Sequence, residues 1–231
     1  DESDEDDEAE GHEGGSSSEV AEHLSGGVVN VFSTEDAFAA LKEDGSVVTW
    51  GDTGEGGDSA EVASQLQGGV VEIFSTEEAF AALKEDGSVV TWGDNTRGGD
   101  SSSVNNQLTD VIHISNSGTA FAALKADGSV ISWGEGIAAS MSASIKAELS
   151  VGVKKIYANS HAFAALKADG SVVTWGKEQA GGDSSAVSAA LTSDVVEIIA
   201  NGEAFAAIKA NGSVVTWGAQ AMGGNSASVA S

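Results

Sequence analysis

The pattern of apolar and polar positions recurs along the chain. The segment AFAALKEDGSVVTWG begins at Ala37 and again at Ala79, with variants at Ala120, Ala162 and Ala204. Trp50, Trp92, Trp133, Trp175 and Trp217 mark the same phase, at spacings of 42, 41, 42 and 42 residues. A fixed period of this size signals a repeat architecture, in which each unit buries against its neighbours a face it cannot bury alone. A second block, GGDSxxVxxxL, falls between the first: Gly56 to Leu66, Gly98 to Leu108 and Gly181 to Leu191. It also occurs as GGSSSEV from Gly14 and GGNSASV from Gly223, five repeat lengths apart.

Each repeat splits into four pieces. A strand of the form V-x-x-I comes first, as in Val70 to Phe74 or Val195 to Ile199. Ala-Phe-Ala-Ala-Leu-Lys follows, then a turn at Asp44-Gly45 in the first repeat and Asn211-Gly212 in the last, then Ser-Val-Val-Thr-Trp-Gly. Asp-Gly and Asn-Gly supply the positive φ angles of a type I′ turn, which joins antiparallel strands. The last piece has helical spacing. Val62 and Leu66, Val104 and Leu108, Ile145 and Leu149, and Val187 and Leu191 lie four apart, on one helix face. Asp58, Asp100 and Asp183, each followed by serine, suit its N-terminal cap.

The hairpin strands are apolar on both faces. Phe38 and Ala40 point one way, while Ala37, Ala39 and Leu41 point the other. A sheet with one wet side would alternate polar residues there. Small sheets buried on both sides must stack on other sheets, and radial stacking of such sheets is a β-propeller. The predicted fold is all-β: a propeller of five repeats, each a three-stranded antiparallel blade plus a short helical turn, or an arc of a longer array. The repeat domain is placed at residues 14–231. Residues 1–13 read as a disordered acidic tail or as a linker.

The line VVEIFSTEEAFAALKEDGSVVTWGDNTRGGDS, from Val70, resembles the regulator of chromosome condensation repeat family, and its DG-x-V-x-x-WG element carries most of the likeness. The short period is similar to the compact bacterial branch that includes a β-lactamase inhibitory propeller. The resemblance spans residues 14–231 and implies a propeller with small antiparallel blades, in which the tryptophan of the WG motif serves packing. The sequence departs from the family in two ways. The usual histidine before Ala-Leu is replaced at Ala37, and the third repeat lacks Gly-Gly-Asp, reading GIAASMSASI from Gly136. Known members commonly have seven blades.

Charge narrows the partners. The chain has 36 acids against 10 bases, a formal net charge of -26, and eight of the acids lie in the first ten residues. The repeats remain acidic without that segment. Such a field repels phosphates, and Arg97 is the one arginine, so no nucleic-acid partner is expected. Cationic partners or a salty medium suit it. No apolar run approaches a membrane span, no signal-peptide pattern is read, and membrane insertion is not expected. With no cysteine, disulfides, thiolate metal sites and cysteine nucleophiles are excluded. The expected setting is extracellular or at the cell surface.

Catalytic, cofactor and metal residues are not assigned. Asp52, Asp58, Asp94, Asp100 and Asp183 sit in glycine-rich loops where calcium would want clustered oxygens, but no dedicated Asp-x-Asp-x-Asp-Gly loop occurs, and turn and cap duty is preferred. His12, His23, His113 and His161 share no metal spacing, and no phosphate-binding or serine-nucleophile motif is present. Differences between repeats fall in two loops. One follows Trp-Gly, and from it Thr53, Glu55, Asn95, Arg97, Glu135, Ile137, Glu178, Gln179 and Gln220 are the candidate partner contacts. The other precedes Ala-Phe: Thr34-Glu35-Asp36, Thr76-Glu77-Glu78, Ser117-Gly118-Thr119, Asn159-Ser160-His161 and Asn201-Gly202-Glu203. Binding sites commonly sit on loops held by a rigid scaffold.

The expected function is a non-catalytic interaction or scaffold module, binding a protein partner or further copies of itself. The alternative is a secreted enzyme inhibitor, which the lack of Trp, Tyr and Phe in the variable loops disfavours. Deleting residues 1–13 should leave the thermal midpoint nearly unchanged at moderate salt. Calorimetry of the two forms checks this, and a large drop would mean that the segment docks on the repeats.

Overall fold

The computed structural model describes residues 16–225; the acidic segment 1–13 lies outside the described residues. Five three-stranded antiparallel sheets follow one another along the chain. Their inner strands are Val28–Ser33, Val70–Ser75, Val111–Asn116, Val153–Ala158 and Val195–Ala200. The middle strands are Ala37–Lys42, Ala79–Lys84, Ala120–Lys125, Ala162–Lys167 and Ala204–Lys209. The outer strands are Val47–Gly51, Val89–Gly93, Val130–Gly134, Val172–Gly176 and Val214–Gly218. Inner strands of successive blades touch one another, as the axis of a propeller requires.

The hairpin between middle and outer strands differs from the expected two-residue turn. Lys42 N donates to Ser46 O and Gly45 N to Lys42 O, both at 2.9 Å, so three residues form the loop. Gly45 has φ +75°, while Asp44 is not among the residues of positive φ. This is a type I turn followed by a left-handed glycine, not a type I′ turn. The cause is the aspartate side chain. Asp44 Oδ1 accepts from Ser46 N at 3.0 Å and Ser46 Oγ at 2.6 Å, which holds Asp44 in ordinary right-handed backbone. Asp86, Asp127, Asp169 and Asn211 repeat both bonds with Ser88, Ser129, Ser171 and Ser213.

Between blades lies the same core four times. One blade offers the alanine face of its middle strand, Ala37, Ala39 and Leu41 in the first joint. The next offers Ile73, Phe80, Ala82, Val90 and Trp92. Phe80 and Trp92 are opposite one another across the strand pair, and their rings stack at 5.2 Å. Gly56 of the preceding unit lies against that pair, so close that a Cβ would come within 2.6 Å of Phe80. Gly56 also has φ +101°, so glycine is required there twice over. The carbonyl of Gly56 accepts the indole N–H of Trp92 at 3.0 Å, which stitches the two units together. Trp133 repeats the bond with Gly98 and Trp217 with Gly181.

The block between outer and inner strands forms short helical turns, such as Ala60–Gln65 and Ala143–Glu148. Val62 and Leu66 enter one core together, as do Val104 and Leu108, Ile145 and Leu149, and Val187 and Leu191. The lysine that ends the middle strand closes this block. Lys84 Nζ donates to Gln65 O and Lys167 Nζ to Glu148 O, carbonyls at the end of a helical turn. At the other end, Val70 N donates to Gly45 O at 3.0 Å, and the next three blades repeat the link through Gly87, Gly128 and Gly170.

The five tryptophans are not equivalent. Trp92, Trp133, Trp175 and Trp217 are buried, but Trp50 is only half-buried, although it stacks on Phe38 like the others. The first blade has no blade before it among the described residues. Trp175 is fully buried yet its indole N–H has no hydrogen-bond partner. The third repeat lacks Gly-Gly-Asp, and a helical turn, Ile137–Ser140, stands where the accepting glycine would be. Ser132 Oγ is orphaned too, whereas Thr91 and Thr174 at its equivalent positions bond Ser101 and Ser184.

Trp133→Phe should therefore destabilise the protein more than Trp175→Phe, by about 1–2 kcal/mol, because only the first substitution strands a buried carbonyl. Urea unfolding of the two variants measures the difference. Equal losses would show that the indole–glycine bond adds nothing to the joint.

Candidate functional site: the loop face

In an antiparallel three-stranded meander the turn between the first two strands and the exit of the third lie at the same end. Both variable loops of every repeat are therefore neighbours. Asp52 N donates to Asp36 O, Asp94 N to Glu78 O, Glu135 N to Thr119 O, Lys177 N to His161 O and Ala219 N to Glu203 O. Side chains tie the pairs further. Thr34 Oγ1 donates to Glu55 O, Thr76 Oγ1 to Arg97 O, Asn159 Nδ2 to Ala180 O and Asn201 Nδ2 to Met222 O. Hydrogen bonds thus tie the two loops of each repeat to one another.

Around the axis the inner turns form a relay of backbone hydrogen bonds. Glu35 N donates to Glu77 O, Glu77 N to Gly118 O, Gly118 N to Ser160 O and Ser160 N to Gly202 O, at 2.8–3.2 Å. Beside it lies a shallow hollow of about 370 Å³, lined by Glu35, Glu77, Gly118 and Ser160 among others.

Charge is uneven on this face. Glu35, Asp36, Asp52 and Glu55 crowd the first blade, and Glu77, Glu78 and Asp94 the second. Arg97 lies among three carboxylates: Glu77 at 3.0 Å, Glu78 at 3.5 Å and Glu135, from the third blade, at 3.6 Å. On the first blade no such cation intervenes. Partial burial, with repulsion from Asp36, Glu78 and Asp52, raises the Glu55 carboxyl above its ordinary value, while the hydrogen bond it accepts from Asp36 N at 3.0 Å opposes the shift. The fourth and fifth blades carry Lys177, with His161 4.0 Å from Glu203.

Of the sequence candidates, Thr53, Asn95, Glu135, Glu178, Gln179 and Gln220 are exposed on this face, and Glu55 and Arg97 are half-buried within it. Ile137 is a correction. It is 5% exposed and packs inward with Leu149, Phe163 and Trp175, because in the third repeat it fills core space. The candidate set omitted Asp36, Glu77 and Glu78, which the structure brings against Glu55 and Arg97. Meander parity was the signal that would have joined the two loops.

The glycine-loop aspartates hold their own turns. Asp52 Oδ1 accepts from Gly54 N and Glu55 N, and Asp94 Oδ1 from Thr96 N, Thr96 Oγ1 and Arg97 N. Asp58, Asp100 and Asp183 accept from Ala60 N, Ser102 N and Ser185 N. The Thr96 hydroxyl bond lowers the Asp94 pKa, and the Ser102 backbone bond lowers that of Asp100. Among the described residues, no three His, Cys, Asp or Glu side chains are grouped to hold a metal. No described helix is long and apolar enough to cross a membrane.

Comparison with solved structures places this geometry. Prp20p from Saccharomyces cerevisiae, described with its binding to Gsp1p and histones, superimposes with a TM-score of 0.51 at 17% identity, over 83% of this chain and 57% of that one. The fold is that of an RCC1-like propeller. Yeast RCC1 (Prp20) bound to Kap60 gives 0.49 at 17% identity, over 83% and 56%, and human WBSCR16 gives 0.48 at 18%, over 83% and 61%. The chain thus spans less than two thirds of the length of these structures. No protein-family model and no curated protein matches the sequence.

Glu55 generates a pH-dependent prediction. A carboxyl whose folded pKa is raised contributes stability below its ordinary pKa and loses it as pH rises through the raised value. Glu55 is therefore unfavourable at neutral pH. Glu55→Gln keeps an acceptor for Asp36 N and removes the charge. Its thermal midpoint should exceed that of the parent on the order of a degree at neutral pH, and the gap should close near pH 4. Scanning calorimetry at both pH values decides it; a lower midpoint at neutral pH would refute the reading.

Proposed function

We propose that this chain is a non-catalytic protein-interaction module that receives a basic protein segment on its loop face. The observation that carries this reading is the convergence of both variable loops at one end of the sheets, with carboxylates concentrated on the first two blades. The strands are alike because stacking constrains both of their faces, so their sameness calls for no functional explanation. Loops that differ from blade to blade give a near-symmetric scaffold an asymmetric surface. An acidic field speeds encounter with a basic partner and makes it salt-sensitive. The structurally similar Prp20p is described as binding Gsp1p and histones, and histones are basic proteins. The inhibitor reading is weaker, because the loop face lacks the aromatic anchors of tight enzyme–inhibitor contacts.

Binding of core histones and of a lysine-rich peptide should be measurable by calorimetry at low salt. Glu35→Lys combined with Asp36→Lys, both on the first blade, should weaken it roughly tenfold near 0.05 M salt and much less near 0.5 M, where the Debye length has shrunk to about 4 Å. Binding unaffected by these substitutions, or turnover of a small substrate by the pure protein, would overturn the proposal.

A further inference from the structure

Among the described residues, the two end blades leave unpaired the two surfaces that pair four times inside the chain. In every internal joint the phenylalanine–tryptophan face of one blade closes on the alanine face of the blade before it. Among the described residues nothing is stacked on the inner half of the first blade's phenylalanine–tryptophan face. Val31 there is 49% exposed, while Ile73, Ile114, Ile156 and Ile198 at the same position are at most 4% exposed. Phe38 is half-buried, although its equivalents are sealed. The fifth blade presents its alanine face. Val214 is 53% exposed and Ile199 54%, against 6% for Val89 and 5% for Val130, which are equivalent to Val214.

Backbone contacts stop at the same places. A Cβ on Gly45, Gly87, Gly128 or Gly170 would strike the backbone that enters the next blade, but one on Gly212 would meet no described residue beyond its chain neighbours within 4 Å. Gly56, Gly98 and Gly181 lie against Phe80, Phe121 and Phe205 of the following blade, whereas a Cβ on Gly223 would meet no described residue beyond its chain neighbours within 4 Å. The axial relay starts at Glu35 and ends at Gly202; among the described residues no hydrogen bond runs from the fifth blade back to the first.

We propose that the alanine face of the fifth blade binds the phenylalanine–tryptophan face of the first blade of a second copy, making a head-to-tail assembly. The partner is a second copy because the two free surfaces are the two halves of a joint this sequence already builds. In that assembly Val31 of one copy meets the Ala204 strand of the other, and Gly202 N of one faces Glu35 O of the next, extending the relay. The contact is heterologous, so it propagates into a ring or a filament according to the rotation between copies. Two features set its strength. The copies are both acidic and repel, so association strengthens as salt rises. The block beginning at Gly14 and that beginning at Gly223 are the same sequence element, and Ser16, Glu19 and Val20 already lie beside Trp50. One of the two blocks is displaced when the joint closes.

Sedimentation velocity of the full chain tests this across protein concentration, near 0.15 M and near 1 M salt. Species larger than a monomer should appear and increase with salt, opposite to the expected salt response of the loop face, so the two proposals fail separately. Val31→Glu blocks the head alone and Val214→Glu the tail alone. Each variant should be monomeric by itself, and an equal mixture should give a one-to-one dimer that grows no further. Ile199→Glu is a second tail block, and circular dichroism confirms that each variant is folded. A parent that stays monomeric under all these conditions, or a mixture of folded variants that forms no dimer, would overturn the proposal.

Discussion

Stacking of small two-sided sheets is the constraint on which the rest of the structure depends. A sheet of three strands, each five or six residues long and apolar on both faces, leaves those faces in water unless it stacks on other sheets. Each joint with a neighbouring sheet buries an apolar face that the blade cannot bury alone. The joint that achieves this combines three fitted parts: alanines that let the sheets approach, a stacked phenylalanine–tryptophan pair that fills the gap, and a glycine of positive φ on which the pair rests. The indole–glycine hydrogen bond then satisfies a buried donor and acceptor together. Where one part is missing, as in the third repeat, the helical turn and Ile137 supply volume but not the acceptor, and the Trp175 N–H is left without a partner.

Because the joints hold the strands, the ends of the sheets are free to vary. The meander sends both variable loops to one end, where short aspartate turns and threonine or asparagine side chains fix their backbones. Charge then accumulates on a surface whose shape is already determined. Arg97 relieves the crowding on the second blade by bridging to the third, whereas on the first blade partial burial, with repulsion from Asp36, Glu78 and Asp52, raises the Glu55 carboxyl. In the proposed function this acidic patch captures a basic chain electrostatically. Among the described residues the stacking also leaves the outward faces of the first and fifth blades uncovered, so the two proposed interactions would use different surfaces and respond to salt in opposite directions.

Much of the fold was legible in the sequence. The period of the tryptophans gave the number of blades, and the apolar character of both strand faces pointed to stacked sheets. The i, i+4 pairs such as Val62 and Leu66 marked a segment that enters the core with both side chains. These features are local or strictly periodic, so every repeat states them again. Finer geometry was less legible. Asp44-Gly45 suggested a type I′ turn, but the serine that follows lets the aspartate bond forward and adds a residue to the loop. Part of the candidate site was also legible, since the variable loops named Glu55 and Arg97. Ile137 was misplaced because a loop position in one repeat had become a core position in another.

By itself, then, the sequence determined the repeat, the blade, the residues of each face and the acidity of the surface, because each of these depends on neighbours within one period. The tertiary structure decided what depends on neighbours in space. It set which tryptophan lacks an acceptor, that Glu78 of the next blade adds to the charge around Glu55, that Arg97 reaches Glu135 of the third blade, and that among the described residues the first and fifth blades leave complementary faces uncovered. None of these is a property of a single repeat. Each arises from what the adjoining blade supplies or fails to supply.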